Sequence, residues 1–276
     1  MRINNNIGAL NTHRQMSINT ANQAKNMEKL SSGLKINRGA DDAAGLSISE
    51  KMRAQIRGLD RAAQNAQDGI SMIQTADGAM NEAHAILQRM RELTVQAAND
   101  TNAKAERDAI SSELTQLKDT LVNIADTTQF NGQKLLDGTT GTAGSVVIQT
   151  GANNAENFTV DFTQANLKGL TTTLAPLLKV DTAANATATL ADIDTAIEGV
   201  STGRAYLGAV QNRLEYTINN LNSSSQNTQS AESRIRDVDM AKEVVENSKN
   251  GILAQAAQAM LAQANQQPQS VLQLLR

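Results

Sequence analysis

Apolar and small residues recur between residues 73 and 97 at steps that alternate between three and four without an error. This spacing places the whole set on one face of an α-helix, as in the seam of a coiled coil. A helix over residues 70–98 rises 1.5 Å per residue and is therefore about 43 Å long. Such a length is natural for a rod and long for a compact domain. The set is Ile73, Ala76, Met80, Ala83, Leu87, Met90, Thr94 and Ala97.

Helical patterns precede this segment. The first predicted helix runs from about residue 4 to residue 30 and stops at Ser31-Ser32-Gly33, a stop signal that contains glycine. Asp41 or Asp42 is predicted to cap the next helix, because carboxylates are favourable at a helix start. Gly58 is predicted to weaken or end that helix.

Helical patterns also follow it. Residues 99–100 are predicted to break the long helix, and a third helix is predicted over residues 110–124. Helical spacing resumes over residues 193–221, and a polar break at residues 222–225 is expected before the C-terminal helix. The chain is thus predicted to run out and return, so that helices near its two ends meet as antiparallel partners.

The middle of the chain changes period. Residues 145–150 and 157–162 have the composition of strands, and residues 151–154 can supply the loop of a β-hairpin. Asn131-Gly132 and Asp137-Gly138 are turn dipeptides. Residues 165–192 are rich in Thr and Ala and weakly patterned, so surface exposure is the expectation for them.

The two ends carry apolar repeats that predict a self-assembly seam. Steps of 4, 3, 4, 7 and 3 near the C-terminus are typical of a coiled coil, and the N-terminus shows a looser repeat. Termini usually fray unless something holds them, so these segments are expected to pack on each other and on other copies of the chain. The seam residues are Ile3, Ile7, Leu10, Leu253, Ala257, Met260, Ala264, Val271 and Leu274.

Composition restricts the class of protein. Only five residues are aromatic and none is Trp, which favours slender layers packed by aliphatic side chains. The net charge of −3 favours no nucleic-acid partner. No stretch approaches the roughly 20 apolar residues that a membrane span needs, so no membrane insertion is predicted. The N-terminus lacks the features of a cleaved secretory signal.

Catalytic and metal-binding chemistry has little support. The chain has no cysteine, and its two histidines, His13 and His84, are far apart in sequence. A zinc-protease motif would need a second histidine one helical turn from the first. Asp41 and Asp42 are better explained as caps than as a general-acid pair. We therefore predict no enzyme activity and no cofactor; a compact all-α enzyme is the least favoured alternative.

Several stretches closely resemble bacterial flagellin, the subunit of the flagellar filament. They lie in the family's order at residues 1–7, 29–38, 41–46, 231–241, 262–265 and 272–276, and read MRINNNI, KLSSGLKINR, DDAAGL, AESRIRDVDMA, AQAN and LQLLR. One such motif would be weak evidence, but six in order are specific. The resemblance covers roughly residues 1–165 and 193–276, and the interval between these ranges is too short for the inserted domains of longer family members.

The resemblance implies a mainly α fold, an elongated antiparallel helical bundle or coiled coil with paired terminal helices and one small β-hairpin region. It implies a terminal coiled-coil domain of residues 1–43 and 235–276 that lines the filament core. The remaining residues, 44–234, would form a core helical domain with the hairpin near residues 140–165 and a short variable segment at residues 165–192.

The implied function is that of a structural subunit that polymerises into the filament used for swimming, secreted without a cleaved signal peptide. The implied partners are other copies of the chain, hook-associated junction and cap proteins, a cytoplasmic export chaperone and the flagellar export apparatus. A hook–filament junction protein, which shares the paired terminal helices, is one alternative. A cytosolic coiled-coil scaffold is the other.

A second candidate site lies beside the central seam. Arg89 and Leu93 are one helical turn apart and are predicted to share an accessible stripe. This stretch is similar to the flagellin epitope that the toll-like receptor of animal hosts reads. By that resemblance Arg89 and Leu93, with Glu113 on the following helix, would be the main receptor contacts. A solvated face or a contact between subunits is the simpler alternative.

Overall fold

A computed structural model describes residues 6–141, 144–176 and 178–274, with side chains described as far as residue 266. Within these residues the chain is mainly α-helical, with two small antiparallel strand pairs. The α-helices are α1 (Ile7–Ser32), α2 (Ala43–Ala97), α3 (Lys104–Thr127), α4 (Leu167–Leu174), α5 (Ala183–Arg236) and α6 (Met240–Leu274). The strands are β1 (Gln129–Phe130), β2 (Gln133–Lys134), β3 (Ser145–Gln149) and β4 (Asn157–Asp161).

The chain separates into two compact units. Unit 1 comprises residues 1–54 and 227–276, and unit 2 comprises residues 55–226. The division falls within α2 and within α5. Unit 1 includes residues 44–54 and 227–234, which the sequence prediction assigns to the core domain. The functional assignment of two domains stays a prediction.

The central seam forms the core of unit 2, as predicted. All eight of its residues are buried, from Ile73 at 1% exposure to Ala97 at 0%. Two ion pairs hold α5 antiparallel to α2: Arg91 Nε lies 2.6 Å from Asp194 Oδ1, and Arg204 Nε lies 2.9 Å from Asp77 Oδ1. The apolar period therefore identified the buried face of α2 correctly.

The predicted helix breaks at Gly58 and at residues 222–225 are wrong, because α2 and α5 run through them without interruption. A Cβ atom at Gly58 would lie 2.7 Å from the Ala152 Cβ and 3.1 Å from its Cα, so glycine serves the close approach of a loop. In α5 the buried Ser225 hydroxyl donates to Asp60 Oδ1 at 2.8 Å. Contacts with neighbouring segments thus outweigh the weak local propensities.

The predicted β-hairpin is present as β3 paired antiparallel with β4, with Val147 opposite Thr159. Phe158 and Val160 are buried beneath it. The hairpin is attached to the helices by two polar contacts: the Asp161 amide donates to the Tyr206 hydroxyl at 3.1 Å, and Asn65 Nδ2 donates to the Gln149 carbonyl at 3.2 Å.

The expectation of an exposed segment at residues 165–192 is wrong. This segment contains α4 and the first residues of α5, and its apolar side chains enter the core of unit 2. The hydroxyl of Thr189 is buried and donates to the Lys179 carbonyl at 2.8 Å. Thr and Ala occur at both buried and exposed positions of this segment, so buried positions do not stand out as more hydrophobic. The helical periodicity in the sequence is weak for this reason. The buried residues are Ala165, Leu167, Thr171, Leu174, Val180, Ala186 and Thr189.

The connector of unit 1 follows the sequence prediction. Gly33 caps α1 in the left-handed region with φ 72°, which glycine adopts without strain. The Gly45 amide donates to Asp42 Oδ1 at 2.9 Å, so Asp42 caps α2. The Asp41 carboxylate accepts from the backbone amides of Arg38 and Asn37, and these bonds hold the pKa of Asp41 below its ordinary value. The prediction of a helix cap is thus confirmed for Asp42, whereas Asp41 bonds to the connector that precedes the helix.

Candidate functional site

The terminal helices α1 and α6 pack against each other as an antiparallel pair. At one end Asn6 Nδ2 donates to the Ala264 carbonyl at 2.7 Å. At the other end the Lys35 amide donates to the Arg236 carbonyl at 2.7 Å, just beyond α1. The pair therefore brings together residues more than 200 positions apart in the chain.

The middle of the face on which the two helices meet is polar. Asn19 is the buried residue of α1, at 5% exposure, and Gln23 and Asn26 are half-buried on the same face. Asn247 and Asn250 are half-buried on α6. We call these five side chains, Asn19, Gln23, Asn26, Asn247 and Asn250, the amide seam.

Asn26 joins the two helices within this seam. In the amide orientation that satisfies both neighbours, its nitrogen donates to Glu243 Oε1 at 3.0 Å and to the Asn22 carbonyl at 3.2 Å. Its oxygen accepts from Asn250 Nδ2 at 3.0 Å. Asn26 thus contacts two residues of α6 that lie one heptad apart.

Large apolar side chains of both helices point away from this seam into solvent. Ile7 is 60% exposed and Leu10 is 66% exposed, while Val245 and Ile252 are each 67% exposed. Exposed apolar groups in such number are typical of a surface that another molecule covers. We call the following residues the exposed apolar set: Ile7, Leu10, Ile18, Met27, Met240, Val244, Val245, Ile252, Leu253 and Met260.

The structure divides the predicted self-assembly residues between these two surfaces. Ile7, Leu10, Leu253 and Met260 belong to the exposed apolar set. Ala257, at 1% exposure, and the half-buried Ala264 lie on the inner side of α6. The predicted residue Ile3 and the side chains of Val271 and Leu274 lie outside the described part of the chain.

Sequence reasoning missed the amide seam. A repeat with alternating steps of three and four runs along the half-buried and buried residues of α1, and it is as regular as the apolar repeat of α2. An apolar pattern does not reveal this repeat, because half of its members are amides. Its members are Ala9, Thr12, Met16, Asn19, Gln23 and Asn26.

The second candidate site brings two of its three predicted residues together. Arg89 Nη2 lies 3.0 Å from Glu113 Oε1 on α3, and Arg89 Nη1 lies 3.3 Å from Glu92 Oε2. The hydrogen bond that Arg89 donates to Glu113, followed by the one that it donates to Glu92, raises the pKa of the Arg89 guanidinium above its ordinary value. All three side chains are exposed, so this charged cluster is accessible.

Leu93 is not part of an accessible stripe, which corrects the prediction. It is 3% exposed and belongs to the core of unit 2. Here α3 packs antiparallel to α2, as the Arg89–Glu113 pair and the bond from Arg107 Nε to the Ala97 carbonyl show. A helix that packs against two other helices buries a wider part of its surface than a helix with one neighbour. Leu93 lies on the part of α2 that the second neighbour covers.

Neither histidine is placed for metal binding. His84 lies 3.0 Å from Gln88 through its Nε2 atom, and His13 is exposed on α1. Among the described residues, no three His, Cys, Asp or Glu side chains are grouped so that they could hold a metal ion. A groove of about 530 Å³ between α4 and α5 has one ionisable lining residue, Glu198. In the described part of the chain, no helix has the length and apolar character of a membrane span.

Two family profiles match the chain. The profile of the bacterial flagellin N-terminal helical region matches residues 3–141. The profile of the bacterial flagellin C-terminal helical region matches residues 190–275. The two matched regions contain the two helices of the terminal pair.

Proteins similar over their full length carry the same description. A flagellin of Halalkalibacterium halodurans is 58% identical over 276 residues, and the alignment covers 100% of both chains. A flagellin of Bacillus subtilis is 55% identical, again over 100% of both chains. The flagellar filament 33 kDa core protein of Treponema phagedenis is 46% identical with the same coverage.

Solved structures agree in fold. The crystal structure of Bacillus cereus flagellin aligns with a TM-score of 0.51 and 35% identity, covering 61% of this chain and 94% of that one. A chain assigned as a flagellar hook-associated protein of Vibrio parahaemolyticus aligns with a TM-score of 0.58 and covers 71% of this chain and 100% of that one. At 14% identity the latter shows the fold alone.

Proposed function

This chain belongs to the bacterial flagellin family and is a structural subunit of the flagellar filament, and we propose that the exposed apolar set is the surface through which copies join. Flagellins polymerise with themselves and form an extracellular filament that serves motility. Full-length identity to flagellins favours the filament subunit over the junction protein, for which the likeness is one of fold. The family is one of structural proteins, and the proposal includes no catalytic step.

One observation carries the proposal: within the described residues, the exposed large apolar side chains are concentrated in unit 1. Unit 2 buries its apolar residues in a continuous core, whereas α1 has Asn19 as its buried residue and the described part of α6 has Ala257. Identical subunits in head-to-tail contact generate helical polymers. Apolar side chains left exposed by one chain are then buried by the next.

The same observation supports a coupling between folding and assembly. Because α1 and α6 bury few of their own side chains against each other, the pair gains little free energy to offset the entropy of ordering two long helices. We expect residues 1–35 and 240–276 to be largely unfolded in the dilute monomer and to order when neighbouring subunits cover them. Firm protection of both ends against hydrogen exchange in the monomer would contradict this.

The assembly surface is tested by placing charges in it. Leu10→Asp and Ile252→Asp each leave a carboxylate where another subunit would cover an apolar side chain, and burying an unpaired charge is strongly unfavourable. We expect each variant to remain soluble after seeding while the thermal unfolding of unit 2 is unchanged. Gln15→Asp and Gln258→Asp are matched controls, since they add the same charge at exposed polar positions of the same helices. Filaments of Leu10→Asp or Ile252→Asp at the concentration that suffices for the unmodified chain would refute the proposal.

The charged cluster around Arg89 supports a second proposed function, recognition by the toll-like receptor of animal hosts. Arg89 and Glu113 would provide the polar contacts, while the buried Leu93 would hold α2 in place rather than touch the receptor. Glu113→Ala is expected to lower receptor signalling by the monomer without changing its unfolding midpoint. Glu106→Ala, an exposed glutamate on the same helix, is the control. Full signalling by Glu113→Ala would count against the assignment.

The remaining partners follow from the same proposal. An apolar surface that is exposed before polymerisation needs cover, which fits a cytoplasmic export chaperone at α6. Export without a cleaved signal peptide, through the flagellar export apparatus, would deliver the subunit to the junction and cap proteins of the growing filament. N-terminal sequencing of subunits taken from filaments tests the export route, because loss of the first residues beyond Met1 would indicate cleavage.

A further inference from the structure

We propose that the amide seam fixes the register of α1 against α6, so that these five side chains determine which pairing of the terminal helices is built into the filament. The inference concerns the contact inside one chain and is independent of which surface joins the subunits. It assigns a positioning role to residues that the apolar repeat of the termini does not include.

Hydrogen bonds across the seam depend on register. Asn26 lies between Glu243 and Asn250, and it donates to the first and accepts from the second, each at 3.0 Å. Sliding α6 by one heptad in one direction would put Asn250 in the place of Glu243 and Ala257 in the place of Asn250, and a methyl group cannot donate a hydrogen bond to the Asn26 oxygen. A slide in the other direction would put Glu243 in the place of Asn250, and a carboxylate likewise cannot donate to the Asn26 oxygen. Either shift leaves a polar group of Asn26 without its partner, which is unfavourable in a half-buried site.

A purely apolar seam would discriminate less between registers. Leucine, methionine and alanine at heptad positions pack in much the same way after a shift of seven residues, whereas a single buried asparagine can specify the alignment of a coiled coil. In unit 2 the ion pairs of Arg91 with Asp194 and of Arg204 with Asp77 are directional contacts between α2 and α5. Between α1 and α6 the amides supply the corresponding directional contacts.

The seam has the features of a contact that favours specificity over stability. The Oδ1 atom of Asn247 is buried and accepts no hydrogen bond from the residues that the structure describes. The charged residues that line the groove beside the seam are Lys25 and Lys29 of α1 and Lys242, Glu243 and Glu246 of α6. The positive side of α1 thus faces a net negative side of α6, an arrangement that also depends on alignment. A contact evolved for stability alone would bury apolar side chains at these positions.

Engineered disulfides can report the register, because the chain contains no cysteine of its own. Asn6→Cys with Ala264→Cys reports the alignment seen here, in which Asn6 Nδ2 lies 2.7 Å from the Ala264 carbonyl. Asn6→Cys with Ala257→Cys, or with Val271→Cys, reports a slip of one heptad in either direction. Each pair is oxidised in seeded filaments that also contain an excess of the unmodified chain, and the cross-linked fraction is measured by non-reducing electrophoresis.

We call the disulfide between positions 6 and 264 native and those between 6 and 257 or 6 and 271 slipped. With the amides intact, we expect the cross-linked fraction of the native pair to exceed that of each slipped pair by about tenfold, the ratio for one or two lost hydrogen bonds. Asn26→Leu combined with Asn250→Leu should bring a slipped disulfide to within about twofold of the native one, while each single change gives an intermediate ratio. Asn11→Leu with Asn265→Leu, two exposed amides on the same helices, should leave the tenfold ratio unchanged.

An unchanged ratio in the Asn26→Leu/Asn250→Leu chain would overturn the proposal, as would a slipped disulfide that dominates in the unmodified seam. The excess of the unmodified chain, which has no cysteine, gives the ratio even if the variant alone does not polymerise. Failure of this inference is distinguishable from failure of the assembly surface, because the latter is judged by whether Leu10→Asp and Ile252→Asp form filaments.

Discussion

Gly58 lies in the middle of α2 and should resist replacement by alanine for a reason that only the tertiary structure shows. In an exposed helix, Gly→Ala stabilises by about 1 kcal/mol through backbone entropy. A Cβ atom at position 58 would lie 2.7 Å from the Ala152 Cβ and 3.1 Å from its Cα, so the loop must move. Overpacking of this kind costs about 1–3 kcal/mol, so the net effect of Gly58→Ala ranges from about zero to about 2 kcal/mol of destabilisation.

Gly78→Ala in the same helix is the matched comparison, because a Cβ atom there meets nothing within 4 Å. Gly78→Ala should stabilise unit 2 by about 1 kcal/mol, which raises the midpoint by about 2–4 °C for a domain of this size. Calorimetry should place the Gly58→Ala midpoint at least about 2–4 °C below that of Gly78→Ala. Adding Ala152→Gly to Gly58→Ala removes the closest contact and should recover part of the loss. Equal midpoints for Gly58→Ala and Gly78→Ala would refute the close-approach argument.

Three further predictions concern the pairing of helices and the hairpin. Ala257→Asp puts a carboxylate at a position that is 1% exposed, and sedimentation after seeding should find no polymer although unit 2 remains folded; filaments would contradict the inner placement of Ala257. The hydrogen bond from Lys168 lowers the pKa of Asp126. The stabilisation from this ion pair is therefore fully present above the ordinary pKa of an aspartate, and it is lost as the pH falls through the lowered pKa of Asp126. Asp126→Asn should therefore flatten the loss of thermal stability below about pH 4, and an unchanged acid profile would argue against the pair. Tyr206→Phe leaves the Asp161 amide without its acceptor and should lower the stability of unit 2 by about 1–3 kcal/mol, measured by urea unfolding; no change would mean that water replaces the hydroxyl.

The long helices could be predicted from local pattern, and their interruptions could not. The repeat from Ile73 to Ala97 identifies the buried face because burial of one face is what produces a period of three and four. Gly58 and Ser225 look like breakers when read alone. In the structure, Gly58 admits a loop and Ser225 bonds to Asp60, and such partners lie too far away in sequence for a local pattern to reveal.

The candidate sites show the same division. The sequence alone placed Arg89 one turn from Leu93. It does not show how many neighbouring helices pack against that turn of α2. Because α3 packs beside α2, Leu93 is buried at 3% exposure while Arg89 remains accessible and pairs with Glu113. Exposure depends on the number of neighbours, and that number belongs to the tertiary structure.

At the termini, the sequence by itself determined that α1 and α6 are helices with more apolar residues than their contact with each other can bury. It also determined the family, through motifs that survive in order. Only the tertiary structure decided which side of each helix faces its partner, because α1 carries a loose apolar repeat beside a regular repeat in which half of the members are amides. The amides of Asn26 and Asn250 find hydrogen-bond partners across the pair, whereas Leu10 and Ile252 find none within one chain and remain in solvent. Directional bonds therefore select the inner side, and the apolar side chains are left for the next subunit.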